Sequence, residues 1–100
     1  MDIPGYEGLY WVDTIGNVFG VKRNKFLKPF INNDGYIRVS LHKNGKQKKY
    51  LVHRLVAITY LDNPNNLPCV NHINCIRDDN RVENLEWCSQ LYNNQSKNTS

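Results

Sequence analysis

The sequence predicts an α+β domain, with antiparallel β-ribbons first, then a short linking helix, then a strand, loop, strand and helix at the C-terminal end. Three observations carry that prediction. Residues 36–52 alternate apolar and polar side chains around an Asn-Gly turn, residues 53–61 shift to helical spacing, and residues 69–94 gather one histidine among asparagines. One hundred residues suffice for one small core, so any site must be built on that core.

Taken in order, residues 1–8 are turn material, punctuated by Pro4-Gly5 and Gly8. Residues 9–13 and 17–21 are rich in aromatic and β-branched side chains around Thr14-Ile15-Gly16, which predicts a first hairpin. Residues 22–35 read as a basic cluster with breakers at Pro29 and Asn33-Asp34-Gly35. In residues 36–42, Ile37, Val39 and Leu41 share one face, opposite Tyr36, Arg38, Ser40 and His42. Asn44-Gly45 then predicts a type I′ turn, with 47–52 returning antiparallel. A core helix is expected over 53–61, ended by Asp62-Asn63-Pro64, followed by a loop to Pro68. Cys69-Val70 opens a strand ending near His72 or Ile73, residues 74–83 form a loop, and 85–88 return. Ser89 is placed to cap a last helix over 89–97.

The charge is unevenly spread. Lys and Arg outnumber Asp and Glu by 13 to 9, and ten of those cations lie between residues 20 and 54 against the single acid Asp34. Such a segment favours a polyanionic partner. Lys22, Arg23, Lys25, Lys43, Lys46, Lys48 and Lys49 are the candidates for phosphate contacts, with Arg38 directed at a base edge and Arg54 completing the set. His42 and His53 are assigned structural or phosphate-contacting roles, and Trp11 and Trp87 are assigned to the core. Cys69, Cys75 and Cys88 are odd in number and lack CxxC spacing, so they are expected as small buried hydrophobes in a reducing compartment, without structural zinc. No apolar run approaches the ~18 residues of a membrane span.

If the polyanion is a nucleic-acid phosphodiester, its hydrolysis needs a base, a cation to stabilise charge on phosphorus and the leaving oxygen, and donors that hold the backbone. His72 is the obvious base, because a neutral imidazole titrates near pH 7. Mg²⁺, or Mn²⁺, suits the second task when held by side-chain oxygens from Asn71 and Asn93.

These residues resemble a known family. VNHINCIRDDNRVENLEW, with Asn93 nine residues after Asn84, is similar to the HNH endonucleases of the ββα-metal type, in their phage and intron-homing branch. IPGYEGLYWVDTIGNVFGVKR resembles the nuclease-associated module that precedes the HNH unit in that branch, and HRLVAITYLDNPNNLPCVNH resembles the linking helix and loop. The resemblance spans about residues 3–95 and implies a DNA-holding part over 1–52 followed by a nuclease unit over 53–100. It implies His72 as general base, Asn71 and Asn93 as metal ligands, and Asn84 as a brace that keeps His72 aimed. The implied partner is duplex DNA and the implied setting is the cytoplasm of a phage-infected bacterium, with a homodimer if both strands are cut. Asn74 and Cys75 depart from the Asp and Gly usual in related sequences, which is expected to alter the turn. The neutral ligand pair keeps an alternative in play, a DNA-binding module of this fold that does not cut.

Overall fold

The computed structural model describes residues 1–89. In chain order it comprises β1 (Tyr10–Val12), β2 (Val18–Gly20), β3 (Lys25–Phe26), β4 (Phe30–Ile31), β5 (Ile37–Lys43), β6 (Lys46–Leu51), α1 (Val52–Tyr60), β7 (Cys69–His72), a 3₁₀ turn (Val82–Asn84) and β8 (Leu85–Cys88). Three antiparallel sheets result, ordered β1-β2-β3, β4-β5-β6 and β7-β8. The first two predicted hairpins therefore each gain a third strand, from the stretch read as a basic cluster with breakers, while the third stays two-stranded. The strands β3 and β4 are two residues each, too short to show a period.

Local chemistry explains the turns. The Asp13 carboxylate accepts hydrogen bonds from the backbone N–H groups of Ile15 and Asn17, closing the first hairpin. Asn44 and Gly45 both have positive φ, 54° and 77°, as a type I′ turn requires. The helix α1 starts directly from β6, with no side-chain cap and no acid in its first turn, so packing holds it rather than its ends. Leu55, Val56 and Ala57 are buried, and burying Leu55 alone contributes about 2 kcal/mol.

The three sheets converge on that helix. One buried cluster joins Ile3, Val12 and Val18 from the first sheet region with Val39 and Leu41 from the second, α1, and Val70 and Leu85 from the third. Tyr60 Oη donates to Val12 O at 2.7 Å, tying α1 to β1, and the His42 N–H donates to Tyr10 Oη, tying the first two sheets. Asn63 bonds Leu67 through both its amide atoms and fixes the loop before β7. Trp87 packs against the core as expected. Trp11 does not: it stacks on Phe19, with Phe26 edge-on to both, as an aromatic ladder across the outer face of the first sheet. Its neighbours Tyr10 and Val12 take the inner face, so alternation turns Trp11 outward.

Candidate active site

The site is built on the β7-β8 hairpin. Its register runs without a bulge from Cys69↔Cys88 to His72↔Leu85, and β7 ends on His72. The backbone then turns through a loop that Asn84 organises. Asn84 Oδ1 accepts from the Asn74 N–H, while its Nδ2 donates to Asn74 Oδ1 and to Asp79 O. One buried amide thus spans both ends of the 74–79 loop. Arg81 grips the Asp79 carboxylate with two bonds of 2.7 and 2.8 Å, and that pairing holds the carboxyl well below its usual range.

His72 is 5% exposed, and its Nε2 lies 2.8 Å from Oδ1 of Asn80, itself 4% exposed. With that oxygen as acceptor, Nε2 carries the proton and the neutral ring keeps Nδ1 as its basic atom. Burial lowers the proton affinity of His72, and the charge of Arg77 adds to that, while Asn80, Asp79 and Asp78 oppose it. The His53 ring lies 4.7 Å from that of His72, centroid to centroid, and Tyr36 covers both at 5.2 and 5.9 Å. His53 is 6% exposed, its Nδ1 is buried without a hydrogen-bond partner, and its pKa is pushed down to about 3, chiefly by burial and then by His72. Two neutral imidazoles, their planes tilted by 53°, pack together on the inner side of the hairpin.

Asn71 leaves the strand on the other face. Its cross-strand partner is Glu86, and Asn71 Nδ2 donates to Glu86 Oε1 at 3.1 Å. Asn71 Oδ1 has no hydrogen-bond partner among the described residues, so an amide oxygen and a carboxylate stand together there. That pair fits a hard divalent cation, which takes oxygen donors and favours a carboxylate among them. Asn93 and the predicted closing helix lie outside the described residues. The cysteines do not converge: Cys69 faces Cys88 at the open end of the hairpin, and Cys75 lies in the loop beyond its other end. Cys88 is buried as expected, Cys69 is half-buried, and Cys75 is exposed. Cys75 has φ of 64°, in the left-handed region that favours glycine; this conformation, rather than packing, sets its place.

The basic residues do not form one surface. Lys22, Arg23, Lys28 and Lys43 line an open groove of about 720 Å³ between the first two sheets, together with His42, and no acid lines it. Lys43 donates to Gly5 O and lies over the Tyr6 ring, and Lys48 lies over Tyr50. Lys49, on the opposite face of β6, lies over Phe30. Lys25 sits on β3 and Lys46 at the tip of the second hairpin, both exposed. Arg38 bonds both oxygens of Asp34, at 2.9 and 2.7 Å, and Arg54 donates to Pro68 O and stacks on Trp87. Sequence reasoning passed over Asn80, Tyr36 and Arg77 as site residues. Only the loop's fold could reveal Asn80, eight positions from His72 and masked by the neighbouring Asp78 and Asp79.

The β-sheet module, the helix and the histidine-bearing hairpin match the fold of an HNH homing endonuclease in the comparison with known proteins. Residues 1–42 match the NUMOD4 motif. The chain is 44% identical over 92 residues to the DNA endonuclease I-HmuI of Bacillus phage SP01, covering 92% of this chain and 53% of that protein. It is 48% identical over 84 residues to the uncharacterised HNH endonuclease L245 of Acanthamoeba polyphaga mimivirus, covering 84% of this chain and 26% of that one. A solved structure described as DNA binding and cleavage by the HNH homing endonuclease I-HmuI superposes with a TM-score of 0.90 at 41% identity, over 99% of this chain and 57% of that chain. The chain is a relative of HNH homing-type endonucleases, and its first 42 residues match the NUMOD4 motif. It spans between about a quarter and about half of the length of these curated relatives.

Proposed function

We propose that the chain is a metal-dependent DNA endonuclease that hydrolyses phosphodiester bonds. The observation that carries this reading is the buried His72–Asn80 pair, which leaves a neutral imidazole with one basic nitrogen at the end of a strand in an HNH-type hairpin. Residues 1–52 hold duplex DNA, with the groove of Lys22, Arg23 and Lys28 taking one sugar-phosphate strand, and residues 53–100 form the nuclease unit.

In this reading His72 Nδ1 takes a proton from the attacking water while Asn80 holds Nε2–H and fixes the ring's angle. Asn84 keeps the 74–80 segment in place and so acts on His72 through the loop. Asn71 and Asn93 would hold Mg²⁺ or Mn²⁺, with Glu86 supplying the carboxylate that the two amides lack; because Asn71 and His72 leave β7 on opposite faces, both would reach one phosphate around the end of the strand at His72. When bound, such a cation stabilises charge on the phosphate and on the leaving 3′ oxygen. The products are a 5′ phosphate and a 3′ hydroxyl. One site cuts one strand, so a double-strand break requires a second copy or a second encounter.

The test is incubation with supercoiled plasmid in Mg²⁺ or Mn²⁺, followed by DNA ligase. Nicked circles that the ligase seals support the reading. Retained DNA binding with no nicks in either metal identifies the chain instead as a non-cutting DNA-binding module.

A further inference from the structure

The five arginines of the chain have different fates. Arg38 is neutralised by Asp34, Arg81 by Asp79 and Glu83, and Arg54 is occupied by Pro68 O and the Trp87 ring. Arg23 lines the groove between the first two sheets. Arg77 is different, because it stands on the loop that follows His72 and no carboxylate pairs with it among the described residues.

Its position is fixed from the N-terminal half. Arg77 Nη1 donates to Asp34 O at 2.7 Å, and its guanidinium lies over the Tyr36 ring at 5.4 Å. The same Tyr36 ring covers His72. Gly35 has φ of +82° and lies under the Arg77 side chain, where a β-carbon would stand 3.5 Å from Cδ. A guanidinium has five N–H donors, and the bond to Asp34 O uses one. The others make no hydrogen bond among the described residues, and the Arg77 charge reaches His72, where it disfavours protonation of the ring.

We propose that Arg77 is a phosphate-binding residue of the active site, donating to a non-bridging oxygen of the phosphodiester that His72 attacks through water. The inference rests on the endonuclease reading and supplies what its ligand set lacks. A metal held by two amides and one carboxylate would take one side of the phosphate and leave its other non-bridging oxygen without a charged donor, whereas a planar, permanently charged fork matches a phosphate's oxygens. Charge grows on those oxygens as water attacks, so a donor held in place beforehand stabilises the transition state more than the bound substrate. Because Asp34 and Tyr36 hold it, the DNA-holding half of the chain contributes directly to cleavage.

The test compares the full chain with Arg77→Gln, Arg77→Lys and Arg77→Ala. Under single-turnover conditions Arg77→Gln should slow nicking about a hundredfold, Arg77→Lys less, and added guanidinium should restore part of the Arg77→Ala rate and none of a His72→Ala rate. In EDTA, where no cutting occurs, Arg77→Gln should reduce the slope of log affinity against log salt by about 0.9, one phosphate contact. Nicking by Arg77→Gln at the wild-type rate overturns the proposal, as does a slowed variant with an unchanged salt slope and no rescue by guanidinium. If the wild type binds but does not cut, the endonuclease reading fails and the salt slope still decides the Arg77 contact. A wild type that does not bind DNA overturns both.

Discussion

His53 is held neutral by the fold, and its surroundings fix the sign of the pH effect. It is packed against His72 and Tyr36, with the charges of Arg54 and Arg38 also opposing its protonation. Above its ordinary pKa of 6.5 the ring is neutral whether the chain is folded or not. Between 6.5 and about 3 the unfolded chain takes up a proton that the folded chain refuses, so stability falls as pH falls through that window. Urea midpoints measured across it should decline for the wild type and decline less for His53→Phe; equal slopes would refute the assignment. Asp34 and Asp79, held low by Arg38 and Arg81, add a further loss at more acid pH. Asn84 makes a second residue-scale test. Asn84→Ala removes all three of its loop bonds and leaves the Asn74 N–H and Asp79 O to find water, which should cost about 2 kcal/mol in urea unfolding and slow nicking further than the loss of folded protein explains.

At the scale of elements, the first hairpin supports the loop that carries Asn80. The Val82 N–H donates to Thr14 O at 2.8 Å, and Gly16, with φ of +97°, packs so closely that a β-carbon would stand 3.0 Å from that of Asn80. Gly16→Ala therefore combines a backbone penalty of about 1–2 kcal/mol with a push on the residue that aims His72. It should lower both the thermal midpoint and the nicking rate per folded molecule; a loss of stability alone would mean that the contact does not reach His72. The hairpin of 36–52 was legible because period-2 alternation and Asn44-Gly45 chemistry act locally, and that of 69–88 from short apolar runs on either side of a polar loop. The linking helix was legible from its spacing, to within one residue at each end, 52–60 against 53–61. The strands β3 and β4 were not, since two residues carry no period and owe their conformation to the strands they join. Within the site, the motif named His72, Asn71 and Asn84, but Glu86 and Asn80 needed the register and the loop, which bring residues 8 to 15 positions apart into hydrogen-bond contact.

For the molecule as a whole, the excess positive charge of residues 20–54 is distributed over two sheets and both their faces, so composition overstates any one binding surface. The groove between the sheets is where several cations meet without an acid. Replacing Lys22, Arg23 or Lys28 by Gln should each flatten the salt dependence of DNA affinity by about 0.9 in slope, whereas Arg38→Gln, which breaks an internal pair with Asp34, should leave the slope unchanged and lower stability instead. Equal effects from all four would place the DNA elsewhere. The central claim is that His72, aimed by Asn80, activates water for phosphodiester hydrolysis, and the most direct measurement is the rate at which supercoiled plasmid becomes nicked circle in Mg²⁺. Nicking by the wild type that is lost in EDTA and in a folded, DNA-binding His72→Ala variant is the predicted result; a His72→Ala variant that nicks as fast as the wild type would contradict the account.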